Sequence, residues 1–217
     1  MTRLVVFDCD GTLVDSQAAI CRSMDEAFAI AGLAVPDRIA VRRIVGLSLP
    51  QALLRLAPEA DDETRALALE AYKASFRAAR SSGTLQEPLF AGMAELLQRL
   101  RDADRLLGVA TGMSDRGLGA CLARHGVSEL FSTLQTADRH PSKPHPAMLE
   151  AALYEAGTAA SEAVMVGDTV FDMAMARAAG VRAIGVAWGY HEPDELIGAG
   201  ACGVARTAEE LEQLIHE

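Results

Sequence analysis

Three stretches of this chain, Arg3–Asp10, Ala163–Asp168 and Arg182–Trp188, are rich in Val, Ile and Ala, and their apolar residues run nearly without interruption. A strand with one wet face alternates apolar and polar residues. A strand that does not alternate has both faces covered, as parallel strands between helical layers do. Two further runs, Arg105–Thr111 and Leu130–Thr136, also read as strands. Helical spacing separates most of them: Met93, Leu96, Leu97 and Leu100; then Leu118 and Leu122; then Met148, Leu149, Ala152 and Leu153. Near the end, Thr207 and Glu210 have the form of a capping box ahead of Leu211, Leu214 and Ile215. Strands alternating with helices predict an α/β fold: a doubly wound, Rossmann-like, mostly parallel sheet.

One interval breaks that rhythm. More than 90 residues lie between the first predicted strand and the second, far beyond a single crossover helix, and they read as all helix. Ile20, Met24, Ala27, Phe28 and Ala31 share one face, with Ser16 as a candidate N-cap and Gly32 as a stop. Further helices are expected over Pro36–Val45, from Ser48 with Pro50 in its first turn, and over Asp62–Arg80. Residues 17–86 are therefore expected to form a helical cap domain inserted into a discontinuous core of residues 1–16 and 87–217. Charge supports the division. The chain carries a net charge of −10, yet residues 17–86 have nine Lys/Arg and eight Asp/Glu.

The net negative charge argues against a nucleic-acid or anionic-membrane partner. No apolar run is long enough to cross a bilayer, and Leu4–Phe7 is too short for a signal-peptide core, so a cytoplasmic protein is expected. Cys9, Cys21, Cys121 and Cys202 are scattered, without metal-site spacing, and read as free thiols.

The first strand ends in an unusual way, on Asp8 and Asp10 in DCDGT. Side chains two apart on a strand point to one side, so both carboxylates are expected at the C-terminal edge of the sheet, where open α/β sheets bind ligands. Gly11 frees the backbone to turn. A second acidic pair, Asp168 and Asp172 in GDTVFD, follows another strand. Carboxylates converging without a cation repel one another and resist desolvation. A hard divalent ion removes that conflict, and Mg²⁺ suits a site offering a few carboxylates, waters and a substrate phosphate. Thr111 and Gly112 end the second strand with a hydroxyl and backbone N–H groups suited to an oxyanion. Lys143 sits in PSKPHP, a proline-stiffened loop that can hold a point charge in place.

These four pieces, in this order and with a helical insertion after the first, resemble the haloacid dehalogenase-like superfamily of phosphotransferases. The likeness spans essentially the whole chain. The ending GDTVFDMAMARAAGVRAIGVAWGY and the LVDS after DGT look most like the phosphoglycolate phosphatase branch. The resemblance implies that Asp8 is the nucleophile that becomes an aspartyl phosphate. It implies that Asp10 is the general acid and then base, and that Thr111, Gly112 and Lys143 bind phosphate. Mg²⁺ would be held by Asp8, the backbone carbonyl of Asp10, and Asp168, with Asp172 orienting the metal's waters or reaching Lys143. One departure stands out: many relatives have Asn where this chain has Gly112, which removes an amide donor that Ser114 or backbone N–H groups would have to replace.

The expected activity is Mg²⁺-dependent hydrolysis of a small phosphorylated metabolite, 2-phosphoglycolate or similar, by a monomer or homodimer. A phosphomutase of the β-phosphoglucomutase kind shares every core motif and is the alternative. A phospho-acceptor or regulatory module is more distant, because a signalling site has no use for Asp10. In the cap, Arg42, Arg43 and Gly46 are candidate specificity residues, joined by His191 after the last predicted strand.

Overall fold

The structure, a computed structural model, describes residues 2–217. Among them, six parallel strands form one sheet in the order β3-β2-β1-β4-β5-β6. They are β1 (Leu4–Phe7), β2 (Leu106–Thr111), β3 (Thr133–Thr136), β4 (Ala163–Gly167), β5 (Arg182–Val186) and β6 (Val204–Ala205). The last is two residues long and leaves no periodic signal to read. The first strand stops at Phe7, three residues earlier than expected, and Ser128–Leu130 is a 3₁₀ turn rather than the start of β3.

Unbroken apolar runs follow from helices on both faces. Val5 and Phe7 join Val164, Val166 and Ile184 against α5 (Met93–Asp102), α6 (Asp115–Arg124) and α10 (Ala208–His216). Leu4 and Val6 join Met165 and Ala183 against α7 (Ala147–Ala156), α8 (Val170–Ala178) and α9 (Pro193–Ala199). In α5, Met93, Leu96, Leu97 and Leu100 are fully buried. Each contributes about 1.5–3 kcal/mol, which holds a ten-residue helix that would be marginal in isolation. At the other end of the chain, the anticipated capping box of α10 is half made. Thr207 accepts the Glu210 N–H, but the Glu210 carboxylate takes the Arg206 N–H instead.

Between β1 and β2 stand α1 (Gln17–Ile30), α2 (Arg38–Ile44), α3 (Leu49–Leu56) and α4 (Asp62–Ser81). Asp37 and Asp61 cap α2 and α4 by accepting the Ala40 and Thr64 N–H groups. Ile20, Met24 and Phe28 of α1 pack with Val41, Leu53 and Ala68 in a core of their own, which Phe171 and Tyr190 join from the sheet side. The chain enters and leaves this helical unit side by side: Val14 bridges antiparallel to Leu89, and the Asp15 N–H donates to the Pro88 carbonyl at 2.8 Å.

Candidate active site

The strand order reverses between β1 and β4, and the crevice at that switch point is where an open sheet leaves room for a ligand. Phe7 pairs with Val166, so Asp8 and Asp168 leave adjacent strand ends together. Asp10 is not on the strand. It is brought back to the crevice by a turn at Gly11, whose φ is +85° and where a Cβ would lie 2.3 Å from Asp168 Oδ2. Glycine is required there both by the backbone and by the neighbour.

Lys143 is the centre of the polar network. It is 1% exposed, and its Nζ lies 2.9 Å from Asp8 Oδ1 and 2.7 Å from Asp172 Oδ1. The other oxygen of Asp172 accepts from Thr169 N at 3.1 Å and Thr169 Oγ1 at 2.7 Å, within the capping box that starts α8. Asp168 accepts from Thr12 Oγ1 at 2.7 Å and from the Tyr190 N–H at 2.9 Å. Asp8 Oδ1 also takes the Cys9 N–H at 2.7 Å, whereas Asp8 Oδ2 is buried with no hydrogen-bond partner among the described residues. Asp10 accepts from Ser16 Oγ. Ser16 is the N-cap residue of α1, but its hydroxyl caps nothing; it is turned onto the acid.

Carboxylate oxygens of Asp8, Asp168 and Asp172 all lie within 4.8 Å of one another. Burial raises Asp8 to about 7 although Lys143 pulls it down, and burial with the charges of Asp8 and Asp172 raises Asp168 further. For Lys143, burial disfavours the charge, yet the attraction of Asp172 and Asp8 prevails and holds it above the ordinary ammonium range. Three buried acids thus face one ammonium. An all-oxygen donor set, three acids set against one ammonium and an unsatisfied oxygen on Asp8 fit a divalent, oxygen-preferring cation. Asp10 lies apart from this trio through its side chain, and both oxygens of Asp172 are already engaged.

Above the acids is a cavity of about 460 Å³ between the sheet edge and the helical unit. Asp8, Asp10, Thr111, Gly112, Ser114 and Gly46 line it. Thr111 Oγ1 receives the Met113 N–H at 3.2 Å, while Ser114 caps α6 by accepting the Gly117 N–H at 3.1 Å. Gly112 passes beneath the loop before α3, and a Cβ there would lie 2.4 Å from the Leu47 carbonyl oxygen.

Arg42, Arg43 and His191, expected at the substrate pocket, sit elsewhere. Arg42 donates to Gln17 and to the Gly189 carbonyl and lies over the Tyr190 ring. Arg43 binds both oxygens of Glu195 at 2.6 and 2.7 Å. His191 is buried beside Phe171 and accepts the Val170 N–H. Arg42 and Arg43 have partners across the seam between the helical unit and the sheet, His191 is packed on α8, and none of the three lines the cavity. Conversely, Tyr72, Phe76, Arg77 and Arg116 line the cavity and were not anticipated. The 72/76/80 spacing on one face of a charged helix was the available signal. Trp188 fixes the DGT turn by donating from Nε1 to the Thr12 carbonyl at 3.1 Å.

A family model described as haloacid dehalogenase-like hydrolase matches residues 5–186. The chain is 36% identical to a protein named "Probable phosphatase IndB" from Dickeya dadantii, with 100% of this chain and 94% of that protein aligned. It is 33% identical to the phosphoglycolate phosphatase of Rhodospirillum rubrum, over 92% of this chain and 86% of that protein. A crystal structure described as a predicted phosphatase from Clostridium acetobutylicum superposes with a TM-score of 0.89 at 26% identity, covering 100% of this chain and 99% of the other.

Proposed function

The chain belongs to the haloacid dehalogenase-like hydrolase family and is a phosphoric monoester hydrolase, and from that premise we propose that it is Mg²⁺-dependent, acts on a small phosphorylated metabolite and works through an aspartyl phosphate on Asp8. The observation that carries this reading is the position of Lys143, buried between Asp8 and Asp172 at the floor of a cavity whose edge holds a second acid, Asp10.

Asp8 attacks phosphorus while the ester oxygen leaves. Asp10, within reach of the cavity and oriented by Ser16, gives its proton to that oxygen, so the product is a neutral alcohol. Asp10 then takes a proton from water, whose oxygen attacks the aspartyl phosphate, and Asp8 is freed as phosphate departs. Lys143 and the backbone N–H groups after Thr111 hold the phosphoryl oxygens. Asp8, Asp168 and the main-chain carbonyl of Asp10 would hold Mg²⁺, which when bound draws charge from the phosphoryl group. Asp172 and Thr169 keep Lys143 aimed. Residues 17–86 act as the cap: with water excluded, two charges 4 Å apart interact by about 4 kcal/mol rather than about 1.

2-Phosphoglycolate, the substrate in the name of the Rhodospirillum rubrum relative, is the first compound to test. The test is phosphate release from a panel of phosphoglycolate, sugar phosphates, nucleotides and pyrophosphate. It is run with and without Mg²⁺, and with Asp8→Asn. Release that persists in EDTA or in the Asp8→Asn protein would end this mechanism. A stoichiometric need for a bisphosphorylated sugar would reassign the protein as a mutase.

A further inference from the structure

Ile20 and Met24 of α1 and Leu69, Tyr72 and Phe76 of α4 give the cavity an apolar wall, edged on α4 by Lys73 and Arg80, which pair with Glu70 and Glu87. Tyr72 and Phe76 are one helical turn apart, with ring centroids 5.1 Å apart and planes inclined by 34°. Asp10 adds to the burial that raises the Tyr72 phenol, so the two side chains are electrostatic neighbours. Further out, Arg77 and Arg116 line the exposed mouth and form no ion pair among the described residues.

This layering orders a substrate. Its phosphorus lies at Asp8 and its ester oxygen at Asp10, so whatever the alcohol carries extends from Asp10 along α4, past Tyr72 to Phe76. A two-carbon acid such as glycolate has no ring to lay on Tyr72 and Phe76, and a carboxylate set against their carbon loses water. A flat ring gains stacking and loses little. At about 460 Å³ the cavity also falls within the range of about 300–1,000 Å³ typical of sites for larger organic ligands.

Building on the phosphatase reading, we propose that Tyr72 and Phe76 form a stacking subsite and that the substrate is a phosphate monoester whose alcohol carries an aromatic or heteroaromatic ring, as a nucleoside 5′-monophosphate does. Although the chain's net charge is −10, the cations at the mouth draw the dianionic ester toward the opening.

The test compares kcat/KM for nucleoside 5′-monophosphates and p-nitrophenyl phosphate with that for 2-phosphoglycolate, in the native protein and in Phe76→Ala. Ring esters should lead by at least about tenfold, and Phe76→Ala should cut that ratio about tenfold, through KM. Phe76→Leu keeps an apolar side chain and removes the plane; it should shift the ratio the same way even if Phe76→Ala folds poorly. Phosphoglycolate turned over as well as the ring esters, or a ratio indifferent to both variants, would overturn the subsite. If no ester is hydrolysed, the phosphatase reading fails instead. Calorimetry on Asp8→Asn then decides the subsite: tighter binding of the ring ester, weakened by Phe76→Leu, supports it, and equal affinity overturns it.

Discussion

Gly112 and Leu47 meet backbone to backbone: a Cβ on Gly112 would stand 2.4 Å from the Leu47 carbonyl oxygen and 3.0 Å from that of Gly46. The residue whose missing side chain first reads as a lost phosphate donor is therefore the one that lets the loop before α3 come down on the turn after β2. A larger residue would hold the cap off. Gly112→Ala should reduce kcat/KM by about 5–150-fold, the equivalent of an overpacking cost of about 1–3 kcal/mol on closure. Thermal melting should move little, because an open cap relieves the clash. Gly112→Asn should be worse than alanine, and full activity in it would refute the contact.

Lys143 neutralises two buried acids at once. Lys143→Met leaves both without their partner, and removing one member of a buried pair costs about 3–5 kcal/mol. Urea titrations at pH 8 should read a loss of that order. The loss should shrink at pH 5, where Asp8 takes up a proton. Phosphate release should fall by at least about a hundredfold.

Asp8 makes stability depend on pH with a definite sign. Burial holds its proton to about 7, while in the unfolded chain the proton leaves at about 4. Between these values the native state binds more protons than the unfolded state, so stability from this group is complete below about pH 4 and is lost as pH rises toward about 7. In metal-free buffer the native protein should therefore lose stability relative to Asp8→Asn over that interval. Denaturant midpoints of both proteins at pH 5 and pH 8 measure it, and a constant difference would contradict the assignment.

Ser16 gives its hydroxyl to Asp10 and makes no capping bond. Ser16→Ala should consequently cost little of the roughly 1 kcal/mol usual for a lost N-cap. It should lower kcat about tenfold by freeing the acid to rotate. Burial raises the Asp10 carboxyl, and the Ser16 bond draws it back. Without that bond, the limb of the pH–rate profile governed by Asp10 should move to higher pH.

Much of the site could be read in the sequence because its chemistry is carried by local patterns. A strand that ends on acids shows itself within a few residues, and so do Asp168 and Asp172 after AVMV and Lys143 among prolines. What could not be read depends on groups far apart in the chain. Arg43 finds Glu195 across the seam, Gly112 finds Leu47, and Ser16 serves Asp10 rather than its own helix. Tyr72 and Phe76 look like ordinary core residues of α4 until α1 and the sheet edge leave a cavity beside them. β6 is held by its neighbours: it pairs with β5, and Ala205 is buried among Val186, Leu211 and Ile215.

Val14 and Leu89, bridged where the chain departs for the cap and returns, put the two ends of a long excursion next to each other. An insertion with adjacent ends adds little strain to its host, so the sheet and its acids do not depend on which helices are spliced in. The same junction would let a different insertion replace this one, leaving the phosphorus chemistry intact while changing the molecule it acts on.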